Sequence, residues 1–158
     1  MKKIFPGILL ALLAAFSVSG CGGSRIADLY DNEKEISSDS NSFNLDGIQQ
    51  NIEGEKWTAS VERLEGMDTV WSCKAQETTE AEFSYEITLY SGKLKVVLID
   101  PEGALTTLAE CDAAGEQNAG ESISLEKGES RIKLVAGEDT RFDIQLEMTE
   151  GNFAELGF

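Results

Sequence analysis

The chain has 158 residues, with 13 Lys and Arg against 29 Asp and Glu, no His and three Cys. A net charge of −16 offers nothing to a phosphate backbone, which argues against nucleic-acid binding. The absence of His removes the commonest general base and metal ligand, so neither a metal nor a cofactor is expected.

The first residues read as an export signal. Lys2 and Lys3 form a charged start, Ile4 to Phe16 an apolar stretch too short for a membrane span, and small residues lead up to Cys21. The run Val18-Ser19-Gly20-Cys21 resembles the lipobox of bacterial lipoproteins, with Val18 standing where Leu is usual. That resemblance implies that residues 1–20 are a cleaved signal peptide and that the Cys21 thiol takes up diacylglycerol. The implied partner is the lipid bilayer, and the implied place is the extracytoplasmic face of the cell membrane. Acyl chains such as palmitate contribute roughly 0.8 kcal/mol per buried methylene, so two or three of them anchor stably without a spanning helix. Removal of residues 1–20 takes away Lys2 and Lys3 and no acid, leaving 138 residues with a side-chain charge of −18.

Residues 21–41 are Gly-, Ser- and Asp-rich and read as a lipidated flexible tether, with a short helix over Ile26 to Ile36 as its only element. From Phe43 onward short alternating runs replace it. Phe83, Tyr85, Ile87 and Leu89 alternate with Ser84, Glu86, Thr88 and Tyr90, and Phe142, Ile144, Leu146 and Met148 alternate with Arg141, Asp143, Gln145 and Glu147. This period of two marks strands with one buried face. The predicted strands are Trp57–Leu64, Asp68–Ala75, Glu82–Tyr90, Lys93–Ile99, Leu105–Cys111, Ser122–Leu125, Arg131–Val135 and Arg141–Thr149, with Phe43–Ile52 as a further edge. Ser91-Gly92, Asp100-Pro101-Glu102-Gly103, Lys127-Gly128-Glu129 and Gly137-Glu138-Asp139 carry turn chemistry between them. The fold class is all-β: a single antiparallel β-sandwich over residues 42–158, jelly-roll or immunoglobulin-like, of about eight strands. Val70-Trp71, the run Gly92 to Gly103 and the run Glu126 to Val135 resemble small β-sandwich surface lipoproteins of Gram-positive bacteria, a group with no assigned function.

With Cys21 taken by lipid, Cys73 and Cys111 remain as an even pair. Outside the cytoplasm such a pair invites a disulfide, and the alternative is two buried free thiols. The carboxylates are numerous but scattered and make no calcium loop, and no Gly-x-Ser-x-Gly elbow or phosphate-cradling loop occurs. No catalytic residue is therefore assigned, and the chain is not expected to be an enzyme. Flat aromatic side chains stack on sugars or anchor partners, which makes Trp57 and Tyr90 the ligand-binding candidates. The expected function is a membrane-anchored, non-catalytic module for an extracellular glycan, peptide or wall component. The alternative is an accessory or structural subunit of a membrane or envelope complex.

Overall fold

The structure, a computed structural model, describes residues 25–158. The expected signal peptide and Cys21 lie outside the described residues. The alternating runs form β1 (Ser42–Glu53), β2 (Lys56–Ala75), β3 (Thr79–Ser91), β4 (Leu94–Ile99), β5 (Leu105–Cys111), β6 (Gly115–Leu125), β7 (Gly128–Met148) and β8 (Asn152–Phe153). All pairings are antiparallel, in one hydrogen-bonded sheet that folds over on itself. The result is an all-β sandwich, as the alternation requires.

The fold-over is carried by β2 and β7, each read from sequence as two strands and each continuous in the structure. The first half of β2 pairs with β1 and with the second half of β7, which passes the sheet on to β3 and β6. The second half of β2 pairs with β8 and with the first half of β7, which passes the sheet on to β4 and β5. The two halves meet at one irregularity, where Leu64 opposes Thr140 but Gly66 opposes Ala136. Gly137-Glu138-Asp139 is thus a bulge inside β7 rather than a hairpin, and Asp139 has φ 48° there. Turns and bulges make the same demand for a left-handed backbone, so the residues alone did not separate them. Opposite the bulge Gly66 has φ +95°, and a Cβ there would lie 2.1 Å from the carbonyl oxygen of Ser42. Buried Glu65 closes the bend. Burial raises its pKa, yet hydrogen bonds from Asn44, the Asp139 amide and Arg63 outweigh that and hold the carboxyl below its usual range.

Between the two inner faces lies one hydrophobic core. Trp57, Phe83, Phe142 and Leu146 of one half pack with Trp71, Val96, Ile132 and Leu134 of the other. β6 begins well before the predicted Ser122. Its first residues, Gly115 to Glu121, pair with β3 but are exposed on both faces, so no alternation marked them. The chain end also belongs to the domain: Leu156 is fully buried, and its backbone is gripped by both polar atoms of the Gln50 amide.

The segment before β1 departs from expectation most. A 3₁₀ turn (Ala27–Asp31) and α1 (Glu33–Ser37, with Asn32 as its N-cap) lie against the outer face of the β2–β7–β4 half. Tyr30 and Ile36 are buried there with Met67, Val97 and Val135. Met67, Val97 and Val135 sit on the outward parity of their strands, so without this cover they would face water. The backbone carbonyls of Ser38 and Ser40, within the stretch read as a flexible tether, accept hydrogen bonds at 2.7 Å from the ammonium of Lys133, which is fully buried. Residues 26–41 are therefore part of the folded unit and not a free tether. No helix among the described residues is long and apolar enough to cross a membrane.

Candidate functional site

Among the described residues nothing covers the outer face of the other half. Register places side chains on it in rows. Gln49, Ser60, Asp143, Thr88 and Glu116 form one row across β1, β2, β7, β3 and β6. Asn51, Thr58, Gln145, Glu86 and Asn118 form the next. Successive outward residues lie about 6.8 Å apart along a strand and neighbouring strands about 4.8 Å apart. Every position in both rows is an amide, a hydroxyl or a carboxylate.

Two recesses of about 460 Å³ and 350 Å³ lie on this face and share Gln49, Ser60 and Asp143. Together they make a shallow trough over β1, β2, β7 and β3. Tyr90 closes one end, 48% exposed, with its hydroxyl donating to Asp143 Oδ2 at 2.6 Å. The Arg141 guanidinium sits 5.3 Å from the Tyr90 ring centroid and pairs with Glu62 at 3.5 Å. Hydrogen bonds from Tyr90 and Ser60 hold the Asp143 carboxyl below its ordinary range, and the same bond pushes the Tyr90 phenol up. Asp143 is thus an ionised acceptor at neutral pH, with the phenol as its fixed donor. The Gln145 amide donates to Glu147 at 3.0 Å, which turns its carbonyl oxygen toward the role of acceptor.

The predicted site residues divide. Tyr90 is exposed at the end of the trough, as its position on the polar parity of its strand implied. Trp57 is not a surface residue. It is fully buried, donates its indole N–H to Gln50 at 3.2 Å and stacks on Phe153 with centroids 6.5 Å apart. The reason is parity, since Trp57 shares the inward face with Ala59 and Val61. Sequence reasoning missed Asp143, Gln145, Gln49 and Ser60. They were legible only as the polar halves of alternating strands, because which outer face stays open depends on pairing across the sheet.

Cys73 and Cys111 do not form a disulfide; both are free thiols. Topology forbids the bond. Cys73 opposes Ser130 of β7, whereas Cys111 opposes Leu94, which in turn opposes Ala136 of β7. The two thiols are separated by three strand spacings, about 14 Å, and by a run of β7 of about 20 Å. A disulfide needs Cα atoms within about 7 Å. Burial, the larger cause for each, raises both thiol pKa values, so neither is a ready nucleophile.

Among the described residues no group of three or more His, Cys, Asp and Glu side chains is placed to hold a metal ion. No protein-family model matches the chain, and no curated protein does. Among solved structures, TmCBM61 in complex with β-1,4-galactotriose matches with TM-score 0.40 at 12% identity, over 73% of this chain and 92% of that one. A carbohydrate binding module from Cellvibrio mixtus lichenase 5A, in complex with cellotriose, matches with TM-score 0.38 at 9% identity, over 74% and 94%. Murine APRIL matches with TM-score 0.32 at 12% identity, over 68% and 99%. Likeness at this level is one of sheet architecture.

Proposed function

We propose that this protein is a non-catalytic binding module, held by lipid on Cys21 at the extracytoplasmic face of the cell membrane, that recognises a hydroxyl-rich extracellular ligand on the open face of the sandwich. One observation carries the reading: the outer face of the β1–β2–β7–β3–β6 half carries two rows of polar side chains over a shallow trough, ended by an exposed Tyr90 and, among the described residues, left uncovered. Its amides, hydroxyls and ionised Asp143 match the donors and acceptors of a glycan.

Lipid at Cys21 keeps the domain close to the membrane. Ile26, which packs by Gly66, is five residues from Cys21, a length of chain that reaches at most roughly 18 Å. Two experiments test the proposal. Metabolic labelling with an alkyne fatty acid should mark the wild-type chain and not Cys21→Ser; equal labelling of both removes the anchor. Glycan-array binding by the full chain, purified in detergent, should be saturable and lost in Gln145→Ala; binding that ignores this change removes the face.

A further inference from the structure

We infer that the trough selects an uncharged oligosaccharide and rejects anionic polymers. This rests on the glycan reading above and adds the charge class of the ligand.

The argument is electrostatic. Among the described residues, the charged groups over the larger recess are Asp143 and Glu86, both acids, and no Lys or Arg lines it. The remaining polar lining is neutral: Gln49, Asn51, Thr58, Ser60, Thr88 and Gln145 among others. The one cation of the adjoining recess is Arg141, and it is engaged by Glu62 and the Tyr90 ring. A uronate or phosphate entering the trough would give up water and meet like charges, with no free Lys or Arg in the described lining, and like charges set side by side oppose binding. A hydroxyl loses nothing of that kind. It donates to an ionised carboxylate, and hydrogen bonds to a charged acceptor are about twice as strong as neutral ones.

Asp143 offers a cationic ligand little beyond what it offers a hydroxyl, because it is already supplied with donors by Tyr90 and Ser60. What Asp143 and the carbonyl of Gln145 retain is acceptor capacity suited to neutral O–H groups. Rigidity supports this role, because both side chains stand on the long β7 strand with hydrogen-bonded neighbours on either side.

The test uses the full chain in detergent against three sets of oligosaccharides matched in length: neutral gluco-, galacto- and manno-oligosaccharides, uronic-acid oligomers, and glucosamine oligomers. The expected result is saturable binding within the neutral set alone, unchanged between low and high salt, and weakened at least tenfold in Asp143→Ala. Glu86→Gln should keep neutral binding within about threefold and remove part of the discrimination against uronates. Thermal unfolding of each variant controls for folding. Salt-sensitive binding of uronates or glucosamine oligomers that is lost in Gln145→Ala would overturn the charge assignment and leave the face standing. Binding that survives both Asp143→Ala and Gln145→Ala would overturn the face itself. No binding within any set would overturn both.

Discussion

The two outer faces of the sandwich are built from the same two strands, β2 and β7, and have opposite fates. On one half the outward positions include Met67, Val97 and Val135, and the chain lays its own N-terminal segment over them. On the other the outward positions include Gln49, Ser60, Asp143 and Gln145, and none of the described residues covers them. The comparison teaches that, on its two sheet faces, the chain covers the apolar outward side chains and leaves the polar rows open. The bare polar trough is therefore not a face awaiting a missing hydrophobic partner.

The largest effect separating the faces comes from their aromatic residues. Tyr30→Ala removes a buried ring that donates to Glu110 at 3.0 Å and lies under Lys93 and Lys95, with ammonium groups 4.0 Å and 4.2 Å from its centroid. Buried aromatic truncations cost about 3–5 kcal/mol, and denaturant unfolding should show a loss in that range. Tyr90→Ala on the open face should cost no more than about 1 kcal/mol and act on binding instead. Equal stability losses would abolish the distinction.

Lys133 gives the next effect and a pH signature. Lys133→Ala orphans the carbonyls of Ser38 and Ser40 and should cost about 1–3 kcal/mol, with Lys133→Met milder because its stem still fills the space. Burial, with the nearby charge of Arg131, pulls the Lys133 ammonium down to about 8. Below that pH the group is charged in both folded and unfolded chains, and the fold bears the desolvation cost. Between pH 8 and the unfolded value near 10.4 the unfolded chain binds the proton and the fold does not, so stability rises with pH. Tyr30 works the other way. Burial and the Glu110 carboxylate push its phenol up, so above about pH 10 the unfolded chain loses the proton first and stability falls. The wild type should gain on Lys133→Met between pH 8 and 10 in thermal unfolding followed across pH. A flat difference would show that this ammonium is solvated.

On the open face the expected stability effects shrink to nearly nothing. Gln145→Ala should change unfolding by less than about 0.5 kcal/mol while weakening ligand binding, since its side chain reaches only Glu147. A loss of several kcal/mol would mean that the trough is scaffold and not site.

How much of this was legible follows from which signals are local. Alternation in Phe83 to Tyr90 and Arg141 to Met148 is a property of neighbouring residues, and it marked the strands and the sandwich. The continuity of β2 through Gly66 and of β7 through Asp139 was hidden, because a bulge and a hairpin use the same residues. The first half of β6 was hidden because an overhanging strand buries neither face. Tyr90 was readable from parity, and Trp57 was misplaced although its parity with Ala59 and Val61 pointed inward. The N-terminal cover was illegible for a different reason. Its polar serines contribute carbonyl oxygens, which every residue has, to a lysine more than ninety positions away.

The smallest expected effect is none, and it bears on how the covered half is held together. A disulfide closing the loop from Cys73 to Cys111 would add about 4 kcal/mol in the chain-entropy model, and reductant would remove it. The register puts the two thiols at opposite ends of the β2–β7–β4–β5 half, so reductant should leave the melting temperature unchanged. Thiol titration of denatured, unreduced Cys21→Ser protein should count two. The N-terminal segment is held by Tyr30 and Ile36 in the apolar cluster, by Lys133 and Arg131 on the stretch Ser37 to Ser40, and by Thr69 on Asn41. A count of zero would require a register in which β5 reaches β2, and the open face, built from the same β2 and β7 pairing, would have to be redrawn with it.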